Sequence, residues 1–112
     1  MINRLIEKRQ HPRLKLAHPI SFEIPGAGEI NNALSNDISI GGIGFVNDRF
    51  IPMNTPLKLK INILSKVLNS VGMIKRSIPI PHSDRYYTGI EFKEFNLADR
   101  KYLNDYIQLK AA

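Results

Sequence analysis

The chain has 112 residues, 43% hydrophobic and 23% charged, a balance that supports one folded domain and excludes wholesale disorder. Cysteine is absent, which removes disulfides, thiolate chemistry and sulfur-ligated zinc, and the three histidines, His11, His18 and His82, do not fall at metal-ligand spacing. Lys and Arg outnumber Asp and Glu by 16 to 10, so the net charge of +6 favours anionic partners without identifying one.

Residues 1–13 read as a flexible basic arm. Across residues 1–15, Arg4, Lys8, Arg9, Arg13 and Lys15 are balanced only by Glu7. Ile2, Leu5 and Ile6 supply at most one weak helical turn, and Pro12 ends any helix and pushes His11 extended. From Leu14 the pattern alternates. Leu14, Leu16, Ile20, Phe22 and Ile24 share one face, and Lys15, Ala17, Ser21 and Glu23 share the other. Pro19 interrupts this stretch, predicting an edge strand with a kink. His18 falls on the apolar face and is expected to be a half-buried structural residue. Pro25-Gly26-Ala27-Gly28 is a turn. A second strand runs from about Glu29 into Asp37 and Ser39, and a short third strand spans Ile43 to Val46.

Pro52 and Pro56 frame a loop around Met53-Asn54-Thr55. Leu57, Leu59, Ile61 and Ile63 then alternate with Lys58, Lys60 and Asn62, a half-buried strand whose lysines read as solvated face and edge protection. Lys66 to Ile78 is another strand, with Gly72 marking a bulge or a close approach. A loop from Pro79 to Asp84 leads to a final strand, Tyr86 to Phe92, whose aromatic residues read as core and whose Gly89 reads as a bend. The period then changes. Asn96 can cap, Asp99 lies three residues on, and Leu97, Tyr102, Leu103, Tyr106, Ile107 and Leu109 follow helical spacing over about 96–110. No apolar run reaches transmembrane length and Met1 leads into no signal-peptide pattern, so a soluble cytoplasmic protein is expected. Roughly six short strands and a closing helix predict a small antiparallel β-barrel, the helix covering one side or mouth.

The chemistry concentrates in two places. Asp37-Ile38-Ser39-Ile40-Gly41-Gly42 puts a carboxylate and a hydroxyl on one face of an extended strand, followed by bare main chain. Ordinary turn chemistry, with Asp and Ser bonding local backbone, explains the same residues when taken alone. Arg9 and Arg13 stand four apart on the arm. Their planar forks suit phosphate and the O6/N7 edge of guanine, whereas a carboxylate can accept from guanine N1–H and N2–H. Gly42 would keep a side chain out of the way. No nucleophile–base pair, metal cluster or paired carboxylate suggests an enzyme. A basic barrel binding single-stranded nucleic acid is the alternative. It needs exposed aromatics, and Phe22, Phe45, Phe92, Tyr102 and Tyr106 fall at expected core positions.

In this order and with these flanks, the chain resembles a PilZ domain, the bacterial receptor module for the second messenger cyclic di-GMP. The family's Arg-x-x-x-Arg motif matches Arg9 and Arg13, and its Asp/Asn-x-Ser-x-x-Gly motif matches Asp37, Ser39 and Gly42. Gly41 to Phe45 fits the family's third-strand entry, Gly89 to Phe92 its last strand, and Leu103 to Ile107 its terminal helix. The resemblance implies a six-stranded antiparallel barrel with a C-terminal helix over residues 14–112, preceded by the arm. It implies that Arg9 and Arg13 bind phosphates and the guanine O6/N7 edge, while Asp37 and Ser39 bind guanine from the loop side. Lys8 and Gly41 are further candidate contacts. Family members take one ligand or a stacked pair. The ligand is expected to order the arm over the barrel and so alter a surface for a downstream protein in motility, biofilm or virulence control. No cofactor is expected.

Overall fold

Along Pro56–Ile63 the residues Leu57, Leu59, Ile61 and Ile63 are at most 1% exposed, while Lys58, Lys60 and Asn62 face water. This period of two is what a sheet with one dry face requires. The computed structural model describes residues 13–111. Among them lie β1 (Pro19–Glu23), β2 (Ile30–Ile38), β3 (Gly42–Asn47), β4 (Pro56–Ile63), β5 (Lys66–Pro79), β6 (Tyr86–Phe95) and one helix, α1 (Leu97–Ala111). Every neighbouring pair is antiparallel, and the sheet closes on itself in the order β1-β2-β3-β6-β5-β4. The expected six-stranded barrel with a C-terminal helix is therefore observed.

The core is the barrel interior, where Phe22, Ile38, Phe45, Leu59, Ile74 and Phe92 meet Leu103, Tyr106 and Ile107 of α1. Burying a side chain such as Leu103, which is fully enclosed, contributes about 1.5–3 kcal/mol. The helix is tied down by polar contacts as well. Asn96 Oδ1 accepts the Asp99 N–H at 2.7 Å, a side-chain cap, and Asp99 Oδ2 accepts the Asn69 N–H of β5 at 3.0 Å. Tyr102 Oη donates to the Ile63 carbonyl at 3.2 Å, and Tyr106 Oη lies 2.8 Å from His18 Nε2.

Closure changes several readings of the sequence. The first strand begins at Pro19 rather than Leu14, and β1 pairs with both β2 and β4, so it is not an edge. Pro19 is its first residue, where a missing donor is tolerated. Lys58 and Lys60 accordingly guard no edge; they are the barrel's solvated outer face. Leu16, expected on the dry face, is 36% exposed, and His18 is buried rather than half-buried. Ser35 fixes the chain here: its Oγ accepts the His18 N–H at 2.9 Å and donates to the Leu16 carbonyl at 2.8 Å. Pro79 closes β5 instead of opening a loop, and β6 runs past Phe92 to Phe95. Gly72 is a close approach, since a Cβ there would stand 2.5 Å from Ile90 Cγ2, and the pairing shifts register beside it.

Candidate ligand-binding site

A bulge in β2 builds the site. Ser35 pairs with Phe45 and Asp37 with Gly44, leaving Asn36 as the extra residue on its strand. Ser35 points inward and is 2% exposed; strict alternation would turn Asp37 inward too. The inserted residue resets the parity, so Ile38 enters the core, fully buried, and Asp37 stays on the outer wall.

Leu14 brings the preceding segment to the same place. Its N–H donates to the Ile38 carbonyl at 2.8 Å and its carbonyl accepts the Ile38 N–H at 2.9 Å. Arg13, one residue earlier, donates from Nη1 to Asp37 Oδ1 at 2.5 Å. The two side chains are 25% and 16% exposed, so the pair is partly screened from water. Tyr87 Oη donates to the other oxygen, Asp37 Oδ2, at 2.7 Å.

Ser39 and the glycines form the loop between β2 and β3. The strand stops at Ile38, so Ser39 does not extend Asp37's face; it is buried. Its Oγ accepts the Gly41 N–H at 3.2 Å, and its N–H donates to the Gly42 carbonyl at 2.8 Å. Neither Gly41 nor Gly42 has a positive φ. Gly42 is required by proximity, because a Cβ there would run into the Ile90 carbonyl oxygen across the β3–β6 pair.

These residues surround one cleft of about 570 Å³ on the outer wall, lined by Arg13, Asp37, Ser39, Gly41 and Gly42 together with Lys15, Lys75, Arg76, Tyr87 and Glu91. Arg9 and Lys8 lie outside the described residues. Glu91 Oε1 sits 3.2 Å from Lys93 Nζ and 3.4 Å from Lys75 Nζ, and its carboxyl is held below the ordinary range first by the Lys93 hydrogen bond. The cleft itself therefore carries four cations, Arg13, Lys15, Lys75 and Arg76, against two carboxylates, Asp37 and Glu91. A second hollow of about 520 Å³ lies elsewhere on the wall, beside Ile30, Val71 and Phe95, with Lys58 and Lys60 offset by Glu23 and Glu94. It holds none of the motif residues and no excess of either charge. Among the described residues no cluster of His, Asp or Glu could hold a metal ion, and no helix is long and apolar enough to cross a membrane.

Tyr87, Lys75 and Arg76 were not singled out by the motifs, and Tyr87 reads as core in an aromatic strand. Parity was the available signal. Ile90 and Phe92 face inward, so Tyr87, Gly89 and Glu91 must face outward.

The sequence model of the PilZ domain matches residues 7–109. Among solved structures, the Bacillus subtilis inhibitor of motility MotI/DgrA superposes with a TM-score of 0.83 at 21% identity, over 94% of this chain and 52% of that one. The K. pneumonia MrkH–c-di-GMP complex gives 0.71 at 22% identity, over 94% and 52%. The PilZ domain of Escherichia coli YcgR with c-di-GMP gives 0.66 at 12% identity, over 87% and 86%. At these identities the likeness is one of fold, and the chain spans about half the length of MotI and MrkH. No curated protein sequence matches. With the family's sequence pattern running through nearly all of the chain, and its barrel and helix observed, this protein belongs to the PilZ domain family.

Proposed function

We propose that the chain is a receptor for cyclic di-GMP, bound in the cleft between the Arg13 segment and the outer wall of β2, β3 and β6. The observation that carries this reading is the cleft's charge: two cations in excess, set around a carboxylate held on the surface by a bulge. A cyclic dinucleotide has two phosphates and two guanines. The surplus cations answer the phosphates, and Asp37 answers the N1–H and N2–H donors of guanine. Each Asp37 oxygen already accepts one hydrogen bond and has a second lone pair to offer. Arg13 has five donors and can turn them from Asp37 to a phosphate or to the O6/N7 edge. Arg9 and Lys8 are assigned to phosphate on the motif match alone. Ser39, Gly41 and Gly42 shape the loop beneath the base.

Ligand neutralising the basic leader that ends at Arg13, whose side chain already bonds Asp37, draws the residues before it against the barrel and changes the surface offered to an effector protein. The reading is of a binding module in the cytoplasm rather than an enzyme. Phe22, Phe45, Phe92 and Tyr106 are buried and Tyr102, expected in the core, is half-buried beneath Lys66, while the exposed Phe50 does not line the cationic cleft, which disfavours a single-strand binder.

Titration calorimetry tests the proposal. Wild type should bind cyclic di-GMP with micromolar or tighter affinity, and the stoichiometry separates one ligand from a stacked pair. Arg13→Ala should lose about 1.5–3 kcal/mol, roughly tenfold to a hundredfold in affinity. Binding of an oligonucleotide with no response to the dinucleotide would overturn it.

A further inference from the structure

β3 and β6 set two glycines face to face, Gly44 opposite Gly89. Neither space is empty. A Cβ on Gly44 would collide with the Tyr87 hydroxyl and stand 2.5 Å from Tyr87 Cζ, and one on Gly89 would meet Arg76 Cγ at 2.9 Å. Tyr87 thus lies across β3 in the gap that Gly44 leaves, and its hydroxyl ends on Asp37 Oδ2 at 2.7 Å. Asp37 is gripped from two sides by donors of different standing. Arg13 comes from the segment preceding the barrel. Tyr87 comes from a strand paired on both edges.

The difference matters once an anionic ligand arrives. Phosphate and the guanine O6/N7 edge compete for the Arg13 guanidinium, so Arg13 cannot be relied on to orient Asp37 in the complex. Tyr87 offers one neutral hydroxyl, already committed to Asp37, which a phosphate competes for poorly. A carboxylate accepts N1–H and N2–H together only when its plane meets the base edge, and free rotation about the Cβ–Cγ bond would spoil the second bond first.

We infer that Tyr87, lodged in the gap left by Gly44, is a positioning residue that makes the site selective for guanine by holding the Asp37 carboxylate in register with the 2-amino group. This inference rests on the receptor reading above. The probes are cyclic di-GMP and cyclic di-IMP, whose hypoxanthine bases keep N1–H and O6 but lack the 2-amino group. Calorimetric titrations compare wild type, Tyr87→Phe, Gly44→Ala, Asp37→Ala and the Asp37→Ala/Tyr87→Phe double variant, each checked for folding by thermal unfolding.

Wild type should prefer the guanine ligand by about tenfold or more, since a site built to bond an N–H group penalises its absence. Tyr87→Phe should cut that preference to about threefold or less while leaving cyclic di-IMP affinity nearly unchanged, and Gly44→Ala, which displaces the ring without removing the hydroxyl, should do the same. With Asp37 already Ala, Tyr87→Phe should cost nothing further, because the pair acts as a unit. Undiminished selectivity in Tyr87→Phe, equal losses for both ligands, or additive losses in the double variant would overturn the inference and leave the receptor reading intact. So would a wild type that binds both dinucleotides equally. A wild type that binds neither overturns both.

Discussion

Gly42→Ala separates two accounts of the motif's glycine. If Gly42 only clears space for a ligand, an added methyl leaves the ligand-free protein unharmed and weakens binding alone. The structure assigns the glycine a prior duty. Its missing side chain points at the Ile90 carbonyl oxygen, a backbone atom held by the β3–β6 ladder, and the neighbouring Gly41 carbonyl accepts the Phe92 N–H at 3.0 Å. Nothing flexible can step aside, so the strands must part or the loop must tilt. Overpacking of this kind costs about 1–3 kcal/mol. Gly42 has no positive φ, so Ala recovers roughly 0.4–1 kcal/mol by restricting the unfolded chain. Because the clash is with fixed backbone, the upper part of that range applies, about 2–3 kcal/mol, and the net loss is about 1–2.5 kcal/mol, which lowers Tm by about 4–10 °C in a domain of this size. Thermal unfolding without ligand measures it, and urea titration should show a lower midpoint at an unchanged slope. A variant that melts with wild type would show that the strands at Ile90 accommodate a methyl group and that Gly42 is not required by packing.

His18 gives a pH dependence. Burial, with Lys110 nearby, lowers its pKa from the usual 6.5. Below about 6.5 the unfolded chain therefore binds more protons than the folded one, and the stability held by neutral His18 against Tyr106 is lost as pH falls through the lowered value. Unfolding midpoints from pH about 7.5 to about 5 should fall more steeply for wild type than for His18→Gln; parallel curves would refute this. The β4–β5 hairpin turns on Leu64 and Ser65, with φ of 50° and 71°, a left-handed pair that branched L-residues adopt reluctantly. Leu64 is 69% exposed, so replacing the two by Asn-Gly sacrifices no packing and should stabilise by about 1–2 kcal/mol, read as a higher urea midpoint. An unchanged midpoint would show that the turn carries no strain.

Much of the barrel was legible because one dry face imposes a period of two, and β4 follows it without exception. The helix was legible from its period and from Asn96. The start of the first strand is not legible, because the apolar positions Leu14, Leu16 and Ile20 share one parity across it, while closure places β2 and β4 on either side of Ile20 to Glu23 only. Strand lengths and side-chain pattern carry no record of which edges join. The bulge at Asn36 was equally hidden: Asn36 and Asp37 are both polar, so an extra outward residue between Ser35 and Ile38 leaves no mark in the pattern. At the cleft, the motif spacing named Arg13 and Asp37, which the fold brings into contact across 24 residues of sequence. Tyr87 needed the parity of β6 counted back from Phe92, and Arg76 needed the knowledge that β5 flanks Gly89.

Cyclic di-GMP seated in the outer-wall cleft would perturb the backbone amides that line it. Backbone NMR during a titration with that ligand tests this placement most directly. Shifts should concentrate at Arg13, Asp37, Gly41, Gly42, Arg76 and Gly89, with Lys58, Asn69 and Glu94 around the other hollow unmoved. Shifts centred on that other hollow, or none at saturating ligand, would contradict it.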